Sequence, residues 1–122
     1  MIVAVFRRRL KDGKSFDDFI AAWTADRGFG VPAHVVNAVS LDDPREILSV
    51  GFVDIDAASM EAAIGGVADQ EAVRHSRIDD VIESTALHAY YDLRTEHDFS
   101  DDPHAVEIGS AASLLGALRG AR

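Results

Sequence analysis

The segment Met1-Ile2-Val3-Ala4-Val5-Phe6-Arg7-Arg8-Arg9-Leu10 decides the fold: an uncharged run goes straight into three arginines, in a chain whose formal net charge is -9. Side chains alternate across an extended backbone, so Met1, Val3, Val5, Arg7 and Arg9 share one face and Ile2, Ala4, Phe6, Arg8 and Leu10 the other. Both faces begin apolar. Such a strand needs cover on both sides, and it divides the arginines between them. Pairing with Asp and Glu across strands, worth roughly 0.2–1 kcal/mol each, accounts for the triplet. For Arg8, on the face of Phe6, the alternative is the mouth of a pocket, where a guanidinium attracts a carboxylate or phenolate.

Working outward, residues 11–14 read as a turn, and Ser15 with Asp18 forms a capping box at the start of a helix. Phe16, Phe19, Ile20 and Trp23 make one apolar stripe at helical spacing, and Gly28 is placed to end the helix. Residues 33–41 (AHVVNAVSL) and 46–55 (EILSVGFVDI) read as an antiparallel hairpin around Asp43-Pro-Arg-Glu46, with proline at its favoured turn position. Asp56 caps a long helical stretch carrying Met60, Ala63, Ile64 and Val67 and then Ile78, Val81 and Ile82, with a bend expected at Gly65-Gly66. Residues 85–94 (TALHAYYDLR) read as the last strand. The order βαββαβ over residues 1–95 predicts an α+β, ferredoxin-like sandwich: a four-stranded antiparallel sheet with two helices on one face. Residues 96–122 read as an appended arm, an acidic loop followed by a short helix capped by Ser110 and carrying Leu114, Leu115 and Leu118.

The sheet face away from the helices is as apolar as the face they cover. Val36 and Ala38 oppose Val35 and Val39, and Leu48, Val50 and Phe52 oppose Ile47 and Val53. Each large apolar side chain left in water forfeits roughly 1.5–3 kcal/mol. The simplest cover is the same face of a second copy, so the sequence predicts a homodimer paired through the sheet.

Composition narrows the functional classes. With 122 residues, 48% apolar and 27% charged, the chain fits one ordinary globular domain. No apolar run approaches the roughly 20 residues of a spanning helix. The apolar residues precede the basic ones, the reverse of a signal peptide, and the expected location is cytoplasmic. Without cysteine there is no thiolate nucleophile, disulfide or Cys metal site. The acidic balance argues against nucleic acid or an anionic membrane as partner, because phosphate binding needs clustered Lys and Arg. The five histidines lack metal-ligand spacing.

Three stretches, MIVAVFRRRL, ILSVGFVDIDAASMEAA and ADQEAVRHSRIDDVIES, resemble the antibiotic biosynthesis monooxygenase-like family of dimeric α/β barrels over about residues 1–95. The resemblance implies two ferredoxin-like subunits pairing their sheets, each with a pocket between sheet and helices. It further implies either cofactor-independent oxidation of aromatic molecules or, in another branch, haem degradation. The haem-degrading pattern places an Asn, a Trp and a His. In this chain Phe6 stands at the Asn position, Ala63 to Gly66 cover the Trp region, and His75 alone matches. Haem binding stays open on His75, whereas haem oxidation lacks its companion groups.

Within that frame His75, three residues before Ile78, lies on the stripe facing the sheet. It either enters the pocket as a general base, with an ordinary pKa of about 6.5, or bonds Glu71 or Asp79 at the boundary. His88, Tyr90 and Asp92 alternate on the last strand, supplying an acid, a hydroxyl donor and an orienting carboxylate, or else forming a polar seam in a dimer interface. His34, Asn37 and Ser40 are scattered. Trp23 is a core residue or the wall of a pocket for a flat ligand. The sequence therefore predicts His75, Tyr90 and His88 as catalytic and Trp23, Arg8 and Phe6 as substrate-binding, in a small oxygenase using no metal or flavin. The alternatives are a non-catalytic ligand-binding or accessory dimer, or a haem-binding protein.

Overall fold

The structure, a computed structural model, describes residues 1–120. Strand β1 (Ile2–Leu10) lies between β3 (Glu46–Val53) and β4 (Ile82–Asp92), and β2 (Ala33–Val39) lies outside β3. The order is β2-β3-β1-β4 and every pair is antiparallel. Helix α1 (Phe16–Trp23) links β1 to β2, and α2 (Met60–Asp79) links β3 to β4. Both helices cover the face of Leu10, where Phe19 and Ile78 pack with Leu10, Ile47 and Ile82. This is the ferredoxin-like α+β fold.

Local chemistry explains the boundaries. The Ser15 hydroxyl accepts from the Asp18 amide at 3.2 Å and the Asp18 carboxylate accepts from the Ser15 amide at 2.8 Å, the reciprocal capping box. The Glu46 amide donates to the Asp43 carbonyl at 3.1 Å, closing the predicted turn. Helix α1 ends at Thr24, not at Gly28. The Thr24 hydroxyl and amide both donate to the Ile20 carbonyl, at 2.8 and 3.0 Å. The freed carbonyls of Ala22, Trp23 and Thr24 are taken by Arg77, Arg74 and Arg77 of α2 at 3.0–3.2 Å. Side chains from the neighbouring helix thus replace a glycine cap.

Helix α2 runs without a break through Gly65-Gly66. Two glycines cost about 1 kcal/mol each relative to alanine, less than the helix gains from packing along its length. The arm also differs from expectation. No α-helix starts at Ser110. Residues 96–120 instead hold a two-stranded hairpin, β5 (Glu96–Asp98) with β6 (His104–Val106), followed by turns and a 3-10 segment at Gly116–Arg119. Strands of three residues carry too few positions for a period to show. The Glu96 carboxylate accepts from the Ser113 hydroxyl and the Leu114 amide, at 2.5 and 3.1 Å, so it competes for the groups that would start a helix. Arg119 ties the arm to the sheet by pairing with Asp54 at 3.1 Å.

The arginine triplet divides as alternation requires. Arg7 pairs with Glu46 at 3.8 Å, and Arg9 pairs with Asp43 and Glu83. Arg8 turns inward. On the face away from the helices, Val36, Val50, Val5 and Ala89 form one row across all four strands, and His34, Phe52, Val3 and Tyr91 form the next. Val36 and Tyr91 are 57% and 52% exposed there, so this face is left bare by its own chain.

Candidate active site between sheet and helices

Along the inner face of β1 the packed core gives way to a cavity. Leu10 belongs to the core, Arg8 is buried next, and Phe6, Ala4 and Ile2 line the cavity. The cavity has a volume of about 200 Å³ and is walled by β1, β3, α2, Trp23 and the loop residues Phe29 and Val31. Gly51 keeps its floor open between Ala4 and Val35, which lie 3.7 and 3.5 Å from where a side chain would begin. Apolar groups dominate the lining, and the polar groups converging on it are Ser49, Glu71, Arg74, His75 and Tyr90. That composition suits a small organic ligand.

Phe6 organises the polar end. His88 stacks on its ring at 4.1 Å between centroids, His75 meets it edge-on at 6.0 Å, and the two imidazoles are 6.4 Å apart. The Tyr90 hydroxyl is 3.2 Å from His88 Nε2. Burial lowers the His75 pKa below 6.5, with Arg74, Arg8 and His88 adding to the shift and Glu71 opposing it. Burial and Arg8 likewise lower His88. Tyr90 is raised above 10 by burial and by Glu71, so its phenol stays protonated. At neutral pH the site therefore offers neutral imidazoles and a hydroxyl donor.

Arg8 is the unusual member. It is 3% exposed, its guanidinium lies 4.2 Å from the Phe6 centroid and 5.8 Å from that of Phe19, and Nη1 has no acceptor. Its pKa is lowered to about 10 by burial and by Arg74, so it remains a cation at neutral pH. The expected place at a pocket mouth is corrected: the cation lies behind Phe6, inside the protein. Alternation put it on the inner face, and the helices close over that face here.

The other expectations resolve as follows. His75 and Tyr90 line the cavity, as do Trp23 and Phe6, while His88 joins them through the Phe6 stack. His88, Tyr90 and Asp92 pair with Phe6, Ala4 and Ile2, so they lie on the helix side and not in a seam on the open face. His75 is bonded to neither Glu71 nor Asp79, because Glu71 pairs with Arg74 at 2.8 Å. Asn37 accepts from Ser49 at 2.6 Å beneath the cavity. The sequence offers Glu71 only as a partner for His75 and does not single out Arg74, although both fall on the same turn-by-turn stripe of α2 as Ala68, His75 and Ile78. Phe29 and Val31 had no signal, since a loop has no period.

Stability should fall as pH drops from 7 to 5. The folded-state pKa of His75 and His88 lies below the unfolded 6.5, so the unfolded chain binds their protons first and stability is lost as pH falls through 6.5 towards the folded values. The lowered carboxylates Asp18, Asp43, Asp56 and Asp98 act lower, below their ordinary 3.8. Urea melts between pH 5 and 7 check this, with a shallower slope expected for His75→Gln.

An apolar cavity of roughly 150 Å³ is filled by benzene, so about 200 Å³ gives room for one or two fused rings, and a porphyrin would have to extend beyond it. Among the described residues no three His, Asp or Glu side chains gather as a metal site, and no helix is long and apolar enough to cross a membrane.

No family model matches the chain, and no curated protein does. Among solved structures, a protein of Chloroflexus aurantiacus J-10-fl, provisionally described as an antibiotic biosynthesis monooxygenase, has a similar fold. It superposes with a TM-score of 0.55 at 18% identity, over 81% of this chain and 98% of that one. The class this defines is a ferredoxin-like α+β protein with a fold shared by a protein of that description. The fold implied by the resemblance of MIVAVFRRRL and its companion stretches is thus the fold the chain has.

Proposed function

We propose that the protein is a small oxygenase without metal or flavin, acting on a flat aromatic or enolic molecule held between sheet and helices, and working as a homodimer paired through its open sheet faces. The observation that carries this reading is the convergence of His75 and Tyr90 on a predominantly apolar cavity. A neutral imidazole there accepts the phenolic or enolic proton, and the Tyr90 hydroxyl donates to the resulting oxyanion. The electron-rich anion is itself the reductant of dioxygen: one oxygen atom is retained as a quinone carbonyl and the other leaves as water. The protein contributes a base, a donor, a largely apolar cavity and orientation by Trp23 and Phe6. Sequence resemblance and a shared fold support this chemistry, while the residues above supply its parts.

Oxygen uptake on dihydroxynaphthalenes, with chelator present, tests it. Uptake should fall about a hundredfold in His75→Gln and about tenfold or more in Tyr90→Phe, with probe binding kept. A ligand-binding protein without turnover is the second reading. It is favoured by one observation: among the described residues no carboxylate pairs with His75, and Glu71 is engaged by Arg74. Tight binding of the same molecules with no oxygen uptake would decide for it.

A further inference from the structure

Two arginines are buried on the inner side, and they differ in one respect. Arg74, 8% exposed, is satisfied: Nε donates to Glu71 at 2.8 Å, Nη1 donates to the Trp23 carbonyl at 3.2 Å, and the group lies over the rings of Trp23 and Phe29. Arg8 is more deeply buried, yet Nη1 has no acceptor, and among the described residues no carboxylate forms an ion pair with it. The charged groups that act on it are Arg74, which repels it, and Asp79 and Glu71, which attract it from beyond contact. Aromatic faces give a desolvated cation only part of what water would, and a buried polar group normally finds a hydrogen-bond partner.

Phe6 stands between this cation and the cavity. Its ring lines the cavity, stacks on His88 and lies 4.2 Å from the Arg8 guanidinium, so an oxygen would reach Nη1 from the cavity only with the ring moved off the guanidinium. Resting on the reading of the cavity as a ligand site, we propose that Arg8 is the internal receptor for an anionic oxygen of the ligand, a carboxylate or ionised phenol borne on one or two fused aromatic rings. The anion completes the guanidinium and orients the ring system between Phe6 and Trp23. Arg8 is then a specificity determinant: it selects acidic aromatics over neutral ones of the same shape. It also holds the ionised form that proton transfer to a neutral imidazole would generate.

Naphthoate and naphthamide, alike in shape and different in charge, serve as probes. The single tryptophan, Trp23, stands in the cavity wall, so its fluorescence reports binding. The wild-type protein should bind naphthoate about tenfold or more tightly than naphthamide, a charge-assisted contact being the difference. In Arg8→Met that preference should vanish through loss of naphthoate affinity, with naphthamide changed less than about twofold, and Arg8→Lys should keep part of it. Equal binding of both probes by the wild-type protein overturns the proposal and leaves the cavity as a ligand site. A preference that survives in Arg8→Met overturns it in favour of Arg74. Failure of both probes to bind removes the cavity reading and the proposal together.

Discussion

Replacing Arg8 by methionine should raise the melting temperature by roughly 5–10 °C at neutral pH, corresponding to about 1–3 kcal/mol in a domain of this size. Lowering the guanidinium pKa to about 10 means that the folded protein holds this proton less tightly than the unfolded chain. At roughly 1.36 kcal/mol per unit the difference is about 3 kcal/mol, the upper end of the expectation, because the contacts with the Phe6 and Phe19 rings are lost in the variant. The sign follows from linkage. With the folded value depressed, the cost is present at every pH below about 10 and fades only as pH rises above it. Methionine is unbranched and fills the same channel beside Phe6 and Phe19 without a charge. Arg74→Met is the counterpart and should move the opposite way. It frees the Trp23 carbonyl at the end of α1 and strips Glu71 of its partner. Thermal denaturation of the two variants side by side checks both signs. A loss of stability in Arg8→Met would mean that the guanidinium has a partner in solution.

A stabilising effect would have a further consequence. Chains rarely keep a destabilising buried cation unless its site is used, since groups that cost stability concentrate where binding or catalysis needs them. The same logic explains what was legible in the sequence. Alternation in MIVAVFRRRL placed Arg8 on the inner face and Arg7 and Arg9 outside, and the structure agrees because a strand's period admits no other division. The depth at which each residue lies along that face is set by where α2 crosses the sheet, and no local pattern encodes that. Arg8 therefore moved from an imagined pocket mouth to the junction of core and cavity. His75 and Tyr90 were legible for the same reason as Arg8: helix and strand periods assign a face. Phe29 and Val31 reach the cavity from a loop that α2 holds through Gln70, Arg74 and Arg77, a tertiary arrangement without local signature. The arm after residue 95 failed as a helix because Glu96 reaches Ser113 and Leu114 across 17 and 18 residues.

Val50→Asp should convert a dimer into monomers, raising the dissociation constant at least about a hundredfold while the fold is kept. Val50 is the centre of the open face: Val36 and Val5 flank it across the strands, with Ala89 beyond, and Leu48 and Phe52 lie on the same side of its own strand. Among the described residues, Arg7 and Arg9 pair with Glu46, Asp43 and Glu83 towards one end of the sheet, and Arg119 pairs with Asp54 at the other. A new aspartate at the centre lies among Val36, Val5, Leu48 and Phe52, and the nearest cation, Arg7, already pairs with Glu46. Two-fold pairing would bring a copy of it from each subunit into the same dry interface, where an unpaired charge costs several kcal/mol. In the monomer the same aspartate meets water and costs little, because Val50 faces away from the core. That asymmetry makes the variant informative, since folding and association respond to it separately. Sedimentation across a concentration series, with far-ultraviolet circular dichroism and naphthoate binding as controls for the fold, reads the outcome. A wild-type protein that sediments as a monomer would mean that this apolar face is borne in water by a single copy. A dimer that survives Val50→Asp would place the subunit contact on another surface, the exposed side chains of Phe99 and Leu114 on the arm being the next to substitute.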